Sequence, residues 1–506
     1  MKNPICTRIG TWFPFIRVAV PPTTSGHPRK FRCRVLLACA AAIALTSLSA
    51  GAADYSNWIK NLSASGDPDA LYSHSKVKIA TSGSYVHVAW FGNKKDYTGG
   101  AIFYTRSADG GLTFETPKIL VSGANNVLTF DATLNTLAAD GAFVHIVYRD
   151  FSSWPQKLQY LRSGDNGANF SVVRTLSEGV TPSGYYKCNS AYMTAGNGKV
   201  AVVWSYTWNG GGGYNAFNCS YSSNNGETFS TTTVPNSLYS FAVEDAVRSG
   251  DYVYVLTSTS DAGGGYGYYP GRFYLWASWD GGATFRSPVK VTVPTTDATP
   301  VDMACNIQNG IYAPNLYASG ATVNIAWINE DTYVSNYTKT YTLRTCRSTD
   351  GGLTLSAPAT LHSFAAGDGT ATNAGMETIS GNGDNIYITT VLGDAPAGTY
   401  TWRSTDAGAT WGAAQRISPA GTLPITGVDP SDSMRVHTVN SSYYQSTDSG
   451  ATFDGGVNPH TPVGDWSLPQ MTVDATGSCP LRRQLRLLRR NFLPPHRRSP
   501  ATRSHQ

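Results

Sequence analysis

The sequence predicts an all-β protein folded as a β-propeller of four-stranded blades, with seven blades favoured and six or eight as alternatives. One turn pattern recurs seven times along the chain, and an apolar strand precedes each copy. No segment of residues 53–476 shows the 3.6-residue apolar period of a helix. With 51 Gly among 506 residues and an aromatic share of 12%, the chain has the turn and strand residues that an all-β repeat fold requires.

The recurring turn has the pattern Ser-x-Asp-x-Gly-x-Thr-aromatic, and each copy is called a repeat turn below. The copies are spaced by 56, 59, 56, 70, 56 and 42 residues and begin at Ser107, Ser163, Ser222, Ser278, Ser348, Ser404 and Ser446. The Asp side chain can bond the backbone two residues on, and Gly supplies a positive φ. Asn224 replaces the Asp in the third copy, and Leu355 replaces the aromatic in the fifth. We expect the Thr and the aromatic to re-enter a strand and pack inward.

An apolar strand is predicted ahead of each repeat turn, as the second strand of its blade. These strands are Val86–Trp90, Val144–Tyr148, Val200–Trp204, Tyr252–Leu256, Val323–Trp327, Ile386–Thr390 and Met434–Thr438. A short strand precedes each of them, a period-2 strand leads into each turn, and a fourth strand follows the turn. Four antiparallel strands in a repeat of about 50 residues are the unit of a propeller blade.

The N-terminal residues differ in composition from the repeats. Residues 1–52 contain a basic cluster at 29–34, an Ala-rich apolar run at 35–45 and then small residues, which is the order of a secretory signal. We predict an N-terminal extension plus secretory signal over 1–52, with cleavage after Ala52; a membrane anchor is the alternative. The processed protein is expected to be secreted or periplasmic, with no stable insertion in a membrane.

The C-terminal residues 477–506 form a basic tail with eight Arg and no acidic residue. Because the tail begins where the repeat pattern requires another strand, we predict a non-globular segment that is out of frame or otherwise replaced. Between the ends, the predicted propeller at 53–476 holds 23 basic and 33 acidic residues, a net charge of about −10. The charge of +5 on the whole chain therefore comes from its ends, and an acidic body argues against a nucleic-acid partner.

The cysteine positions indicate two disulfides. Cys188 and Cys219 flank the inner strands of the third repeat, and Cys305 and Cys346 flank those of the fifth. In an exported protein, the pairs Cys188–Cys219 and Cys305–Cys346 are expected, with four buried thiols as the alternative. No Cys or His spacing is that of a zinc site, and no cofactor is predicted.

The candidate site residues are polar side chains near the first strands, which line the central channel of a propeller. They are Asp131, Glu244, Asp245 and Glu377, together with Arg149, which follows the second strand of the second repeat. Two carboxylates can hydrolyse a glycosidic bond, and one carboxylate can activate a Tyr nucleophile. The alternative for each acid is a solvated residue of the channel or of a turn.

The repeat turns resemble the Asp-box (BNR) repeats of the sialidase superfamily, over residues 55–476. The resemblance implies a propeller in which all seven turns are structural and lie on the face away from the ligand. In sialidases of this fold it also implies an arginine triad, a Tyr–Glu nucleophile pair, an Asp acid/base and an Arg-Ile-Pro motif. No Arg-Ile-Pro precedes the first repeat here, and Arg149, Arg248 and Arg272 do not stand in the family's local pattern.

Two functions are expected from these features. The first is an exported, monomeric glycoside hydrolase of the sialidase type, such as an exo-alpha-sialidase, acting on the terminal sugars of a glycan or glycoconjugate. The alternative is a non-catalytic propeller that binds a glycan or a protein at its channel mouth. The missing arginine motif favours the second function, and the acids near the first strands keep the first one open.

Overall fold

Strands make up the regular secondary structure of the described residues. The computed structural model describes residues 73–93, 100–111, 113–122, 128–129, 136–150, 156–171, 174–179, 186–208, 213–235, 241–260, 271–291, 314–335, 338–367, 378–393, 396–419, 424–429, 432–439 and 442–454. All of them belong to one compact unit, Tyr55–Gln506. The predicted signal at 1–52 and tail at 477–506 lie outside these residues. Within the described ranges there is no helix with the length and apolar character to cross a membrane.

The strands form seven antiparallel sheets in chain order. Sheet 1 contains β1 (Ser73–Ser82), β2 (Tyr85–Asn93), β3 (Gly100–Ser107) and β4 (Lys118–Ser122). Sheet 2 contains β5 (Leu128–Thr129), β6 (Leu137–Asp140), β7 (Phe143–Asp150), β8 (Lys157–Ser163) and β9 (Arg174–Thr175). Sheet 3 contains β10 (Tyr186–Gly196), β11 (Lys199–Trp208), β12 (Gly213–Ser222) and β13 (Ser230–Pro235).

The remaining four sheets follow the same plan. Sheet 4 contains β14 (Phe241–Ser249), β15 (Tyr252–Ser260), β16 (Gly271–Ser278) and β17 (Val289–Val291). Sheet 5 contains β18 (Asn315–Ser319), β19 (Thr322–Ser335), β20 (Thr338–Ser348) and β21 (Ala359–Gly367). Sheet 6 contains β22 (Thr378–Asn382), β23 (Asn385–Leu392), β24 (Gly398–Ser404) and β25 (Gln415–Ser418). Sheet 7 contains β26 (Ile425–Val428), β27 (Val436–Val439) and β28 (Tyr443–Ser446).

The order of the strands and the contacts between sheets define a β-propeller. Each sheet pairs its strands in chain order, except that β5 and β6 share the first position in sheet 2. The predicted apolar strands are the second strands of their sheets, as expected. The first strands of successive sheets contact one another along the series β1, β6, β10, β14, β18, β22 and β26. The prediction of seven blades is therefore confirmed, and the sheets are called blades 1 to 7 below.

Apolar clusters join each blade to the next, because successive side chains of a strand point to opposite faces. On β11, Val202 packs in the cluster shared with blade 2, and Val203 packs in the cluster shared with blade 4. Equivalent clusters join blades 1 and 2, 4 and 5, 5 and 6, and 6 and 7. Trp204 and Trp327 are fully buried in this way. Burial of such side chains is the main source of the stability of the ring.

The junction between blades 6 and 7 is more polar than the others. Its apolar cluster has only three buried members, Tyr387, Val428 and Val436. Beside it, four buried threonine hydroxyls form a chain of hydrogen bonds of 3.1, 2.9 and 3.1 Å, which runs through Thr401, Thr389, Thr426 and Thr438. Each hydroxyl in the chain has a partner, so these polar groups are buried without loss of their hydrogen bonds.

Each repeat turn is closed by its own side chains, as the fourth copy illustrates. The Ser278 hydroxyl donates to Asp280 Oδ1 at 2.7 Å and accepts from the backbone N–H of Gly282 at 2.8 Å. The Asp280 carboxylate accepts from the backbone N–H and the hydroxyl of Thr284, at 2.8 and 2.6 Å. Both serine bonds recur in all seven copies, with the Asn224 amide oxygen in place of the carboxylate in the third. The turns are therefore structural, as predicted.

The expectation that the chain re-enters a strand right after the turn is wrong for most copies. In the third copy β13 begins directly after Phe229, but in the fourth β17 begins only at Val289, beyond Phe285. The aromatic packs instead on the third strand of the preceding blade. The ring centroids of Phe170 and Tyr104 are 4.9 Å apart, and those of Phe229 and Tyr160 are 4.7 Å apart. The aromatic thus holds two blades together, which a position inside its own strand would not allow.

The glycine of the turn meets the same preceding blade, and we call this contact the turn clamp. An added Cβ on Gly226 would lie 1.7 Å from the hydroxyl of Tyr160. That hydroxyl is hydrogen-bonded to Nδ1 of His145 at 2.7 Å. Blade 1 repeats the arrangement, with His87 bonded to Tyr104 beneath the next turn. Only glycine fits so close an approach at the positive φ of +74° that Gly226 adopts.

The expected disulfide between Cys188 and Cys219 is wrong in this structure, where both residues are buried thiols. Cys188 packs in the cluster between blades 2 and 3, and Cys219 packs in the cluster between blades 3 and 4. The two side chains therefore point to opposite faces of one sheet, with β11 between their strands, and a disulfide cannot span that separation. Cys346 is also a buried thiol, and Cys305 lies outside the described residues.

Candidate functional site

A β-bulge shapes the first strand of blade 4, at the position of two predicted site residues. The pairing of β14 with β15 passes from Val243 opposite Thr257 to Asp245 opposite Leu256, so Glu244 has no partner in the ladder. Bulges bend a strand and re-aim its side chains, and they are common beside functional sites. First strands β1 and β10 also carry irregularities in their pairing. The channel side of the propeller is thus where the strands depart from regular geometry.

Glu244 lies toward the end of its blade that is opposite the repeat turn. On the turn side, Ser249 pairs with Tyr252 and Ser278 pairs with Val253, whereas the bulge lies several residues along β15 from that end. The carboxyl group is therefore separated from the turn clamps by most of the length of the strand. This placement agrees with the expectation that the turns occupy the face away from a ligand.

The Glu244 carboxyl group is half-buried and only partly satisfied. Ser258 on β15 donates its hydroxyl to Oε1, and Tyr192 of blade 3 donates to the backbone carbonyl of Glu244. Among the described residues, Oε2 has no hydrogen-bond partner. Burial raises the pKa of the Glu244 carboxyl, and the hydrogen bond from Ser258 opposes that rise. The group therefore combines a proton held near neutral pH with one oxygen that a ligand can reach.

The neighbouring Asp245 ties blade 4 to blade 5. Its Oδ2 accepts the backbone N–H of Leu316 on β18 at 2.8 Å, and its Oδ1 accepts the backbone N–H of Ala246 at 2.8 Å. Burial raises the pKa of Asp245 to about 6, the two backbone hydrogen bonds lower it, and the charge of Glu244 raises it further. With both oxygens bonded to the backbone, Asp245 is placed to position Glu244 rather than to touch a ligand.

Arg149 lies on β7, and its guanidinium group ties blade 2 to blade 3. Its Nη1 donates to the backbone carbonyl of Cys188 at 2.6 Å, beside the irregular pairing of β10. Blade 3 stands between Arg149 and the blade that carries Glu244. The structure thus brings Glu244 and Asp245 together and places Arg149 two blades away. The other two candidates, Asp131 and Glu377, lie outside the described residues.

Three groups around the carboxyl pair were not predicted from the sequence: Ser258, Tyr192 and the backbone N–H of Leu316. The sequence does contain one signal for the bulge. Val243-Glu244-Asp245-Ala246-Val247 places two polar residues in succession, which breaks the alternation of a half-buried strand. Within the described ranges, no cluster of three His, Cys, Asp or Glu residues is arranged to hold a metal ion.

No protein-family model matches this chain, and no curated protein sequence matches it either. Among solved structures, the chain is similar to the GH74 enzyme of Niastella koreensis, with 16% identity and a TM-score of 0.38 over 79% of this chain and 61% of the other. It is similar to the Trypanosoma rangeli sialidase in complex with sialic acid, with 12% identity and a TM-score of 0.36 over 66% and 54%.

A third similar structure is the β-propeller domain of the Trilobed protease from Pyrococcus furiosus, with 9% identity and a TM-score of 0.39 over 77% and 96%. The chain spans less than two thirds of the length of the first two proteins. At these identities and TM-scores the similarities identify no activity. The propeller assignment rests on the strand order and the contacts between blades.

Proposed function

We propose that this chain is an exported glycan-acting propeller of the Asp-box class, with Glu244 as its acid group. The observation that carries the proposal is the Glu244 carboxyl, which a bulge in a channel-side strand presents with one oxygen unbonded and a raised pKa. Glycoside hydrolysis needs a carboxylic acid that stays protonated near neutral pH, so that it can donate to the leaving oxygen. Burial provides that condition here.

The division of roles follows from the hydrogen bonds. Glu244 would donate its proton through Oε2, while Ser258 fixes the direction of the carboxyl group through Oε1. Asp245 would act as a positioning residue, because its bonds to Leu316 and Ala246 hold the strand on which Glu244 stands. The second carboxylate that hydrolysis requires would come from another blade, for which the sequence offers Asp131 and Glu377.

The setting of the protein belongs to the same proposal. The secretory signal predicted at 1–52 would deliver a secreted or periplasmic propeller, and the acidic body at 53–476 suits a monomer that does not bind nucleic acid. The Asp-box resemblance supports the class through the turn geometry, since the seven copies share both serine hydrogen bonds. An exported protein of this kind meets glycans and glycoconjugates as its partners.

A non-catalytic, glycan-binding propeller is the second candidate, and one observation favours it. Both oxygens of Asp245 are bonded to the backbone, which leaves Glu244 as the single available carboxyl group of the pair. Binding requires only that one group, whereas hydrolysis requires a second carboxylate at a suitable distance. The candidates therefore differ in turnover and not in the location of the site.

The test is hydrolysis of a panel of fluorogenic aryl glycosides, including a sialoside, by the purified protein. We expect turnover that falls at least about 100-fold in Glu244→Gln, the loss typical of a removed general acid. Glu227→Gln is the matched control, because Glu227 lies on a repeat turn with its side chain 63% exposed. Unchanged turnover in Glu244→Gln would overturn the role of this residue. Glycan binding without turnover would establish the second candidate.

A further inference from the structure

The charge around the site bears on which glycans it can accept. The bulge leaves Glu244 and Asp245 as adjacent acidic groups near the channel, and both connect to the side of blade 4 that meets blade 5: Asp245 through Leu316 and Glu244 through Ser258. An acidic ligand placed at Oε2 of Glu244 would therefore meet two carboxyl groups. Like charges at such a distance repel, and a desolvated setting strengthens the repulsion.

The arginines near this part of the ring already bind protein carbonyls. Arg248, on the same strand as Glu244, donates from Nη1 to the carbonyls of Gly196 and Lys199, both at 2.9 Å. Arg149 donates to the carbonyl of Cys188 at 2.6 Å. These bonds tie blades together and use the guanidinium nitrogens that would otherwise grip a carboxylate or sulfate in two-pronged fashion.

The charge of the whole body acts in the same direction. Residues 53–476 hold ten more acidic than basic residues. A narrow channel lined by one sign of charge concentrates that field and lowers the local concentration of ligands of the same sign. Rejection of an unsuitable partner by uncompensated charge is a common source of specificity.

We infer that the site around Glu244 accepts uncharged glycans and rejects sugars that carry a carboxylate or sulfate group. The inference rests on the proposed function and names the substrate class of that same site. Neutral sugar hydroxyls can accept a proton from the carboxyl group and donate to it, so they satisfy Glu244 without a counter-charge. An acidic sugar would need a cation that the arginines described above do not supply.

The experiment compares matched glycans that differ only in charge, with the full-length purified protein at pH 7.5 and low salt. The pairs are lactose and sialyllactose, methyl-esterified galacturonan and galacturonate, and dextran and dextran sulfate. We expect the neutral member of at least one pair to bind about 100-fold more tightly than its anionic counterpart. Glu244→Gln should raise the affinity for the anionic member at least tenfold, and Glu227→Gln should leave it unchanged.

Added salt separates charge repulsion from a change in shape. At 1 M NaCl, where charges are screened beyond a few ångströms, the wild-type protein should gain affinity for the anionic member as Glu244→Gln does at low salt. Equal or tighter binding of the anionic members would overturn the inference and leave the proposed glycan function standing. No binding to any member, by a protein that unfolds at the normal temperature, would overturn the proposed function as well.

Discussion

Replacement of Gly226 by Ala tests the turn clamp directly. The new Cβ would lie 1.7 Å from the Tyr160 hydroxyl and 2.7 Å from the ring carbon that bears it. Tyr160 cannot move away freely, because its hydroxyl is bonded to His145 and its ring packs against Phe229. The substitution therefore forces blade 3 away from blade 2, or breaks a buried hydrogen bond.

The expected cost follows from two contributions. Alanine at a positive φ costs about 1–2 kcal/mol wherever it stands. Displacement of Tyr160 adds about 2–3 kcal/mol, because a packed core is overfilled and His145 loses its partner. Gly250 supplies the matched control, with a φ of +62° and nothing within 4 Å of an added Cβ. Gly250→Ala should cost only the first contribution, and Gly226→Ala about 3–5 kcal/mol.

The assay is urea unfolding followed by tryptophan fluorescence, with the free energy of unfolding compared between the two variants. The double variant Gly226→Ala with Tyr160→Phe removes the hydroxyl that the Cβ meets, so its cost should be smaller than the sum of the two single costs. If Gly226→Ala proves no more costly than Gly250→Ala, the turn clamp does not stabilise the junction between blades.

Three further predictions concern acid and thiol chemistry. A hydrogen bond from the Thr410 hydroxyl is the main cause that lowers the pKa of Asp406 to about 2. The ionised group therefore stabilises the fold above pH 3.8, a contribution lost as the pH falls through 2, and Asp406→Asn should flatten the urea midpoint between pH 4 and 2. Burial is the main cause that lowers the pKa of His145 from 6.5 to about 4. Stability should fall as the pH drops from 6.5 to 4, and less so in His145→Phe, as thermal unfolding at each pH will show; an equal fall in both proteins would contradict this. Burial raises the pKa of the Cys219 thiol to about 12, so a thiol reagent should label Cys219 and Cys188 only after unfolding, and dithiothreitol should not shift the unfolding midpoint; peptide mapping that found the pair bonded would contradict it.

The parts of the fold that the sequence predicts correctly are those encoded locally. A repeat turn needs Ser, Asp and Gly within five residues, and the apolar second strands are continuous runs such as Val200–Trp204. The contacts between blades were beyond reach, because they join residues of different repeats. The packing of Phe229 on Tyr160 requires knowledge of which face each strand presents to its neighbour.

The errors and omissions at the site have the same origin. Cys188 and Cys219 flank one repeat in the sequence, but the register of β10, β11 and β12 directs them to opposite faces. Glu244 and Asp245 were chosen as channel residues, and the structure brings them together. Their different roles depend on Leu316, which lies 71 residues beyond Asp245, so no local pattern could separate the positioning group from the available one.

The turn clamp also sets an order of assembly. Because each turn rests on the third strand of the blade before it, a blade has its full set of contacts only after the next repeat has been made. At a synthesis rate of about 5–20 residues per second, a spacing of 56 residues, as between the first two turns, corresponds to a delay of roughly 3–11 seconds. The growing chain therefore exposes one incomplete edge at a time, and that edge moves from the first blade toward the last.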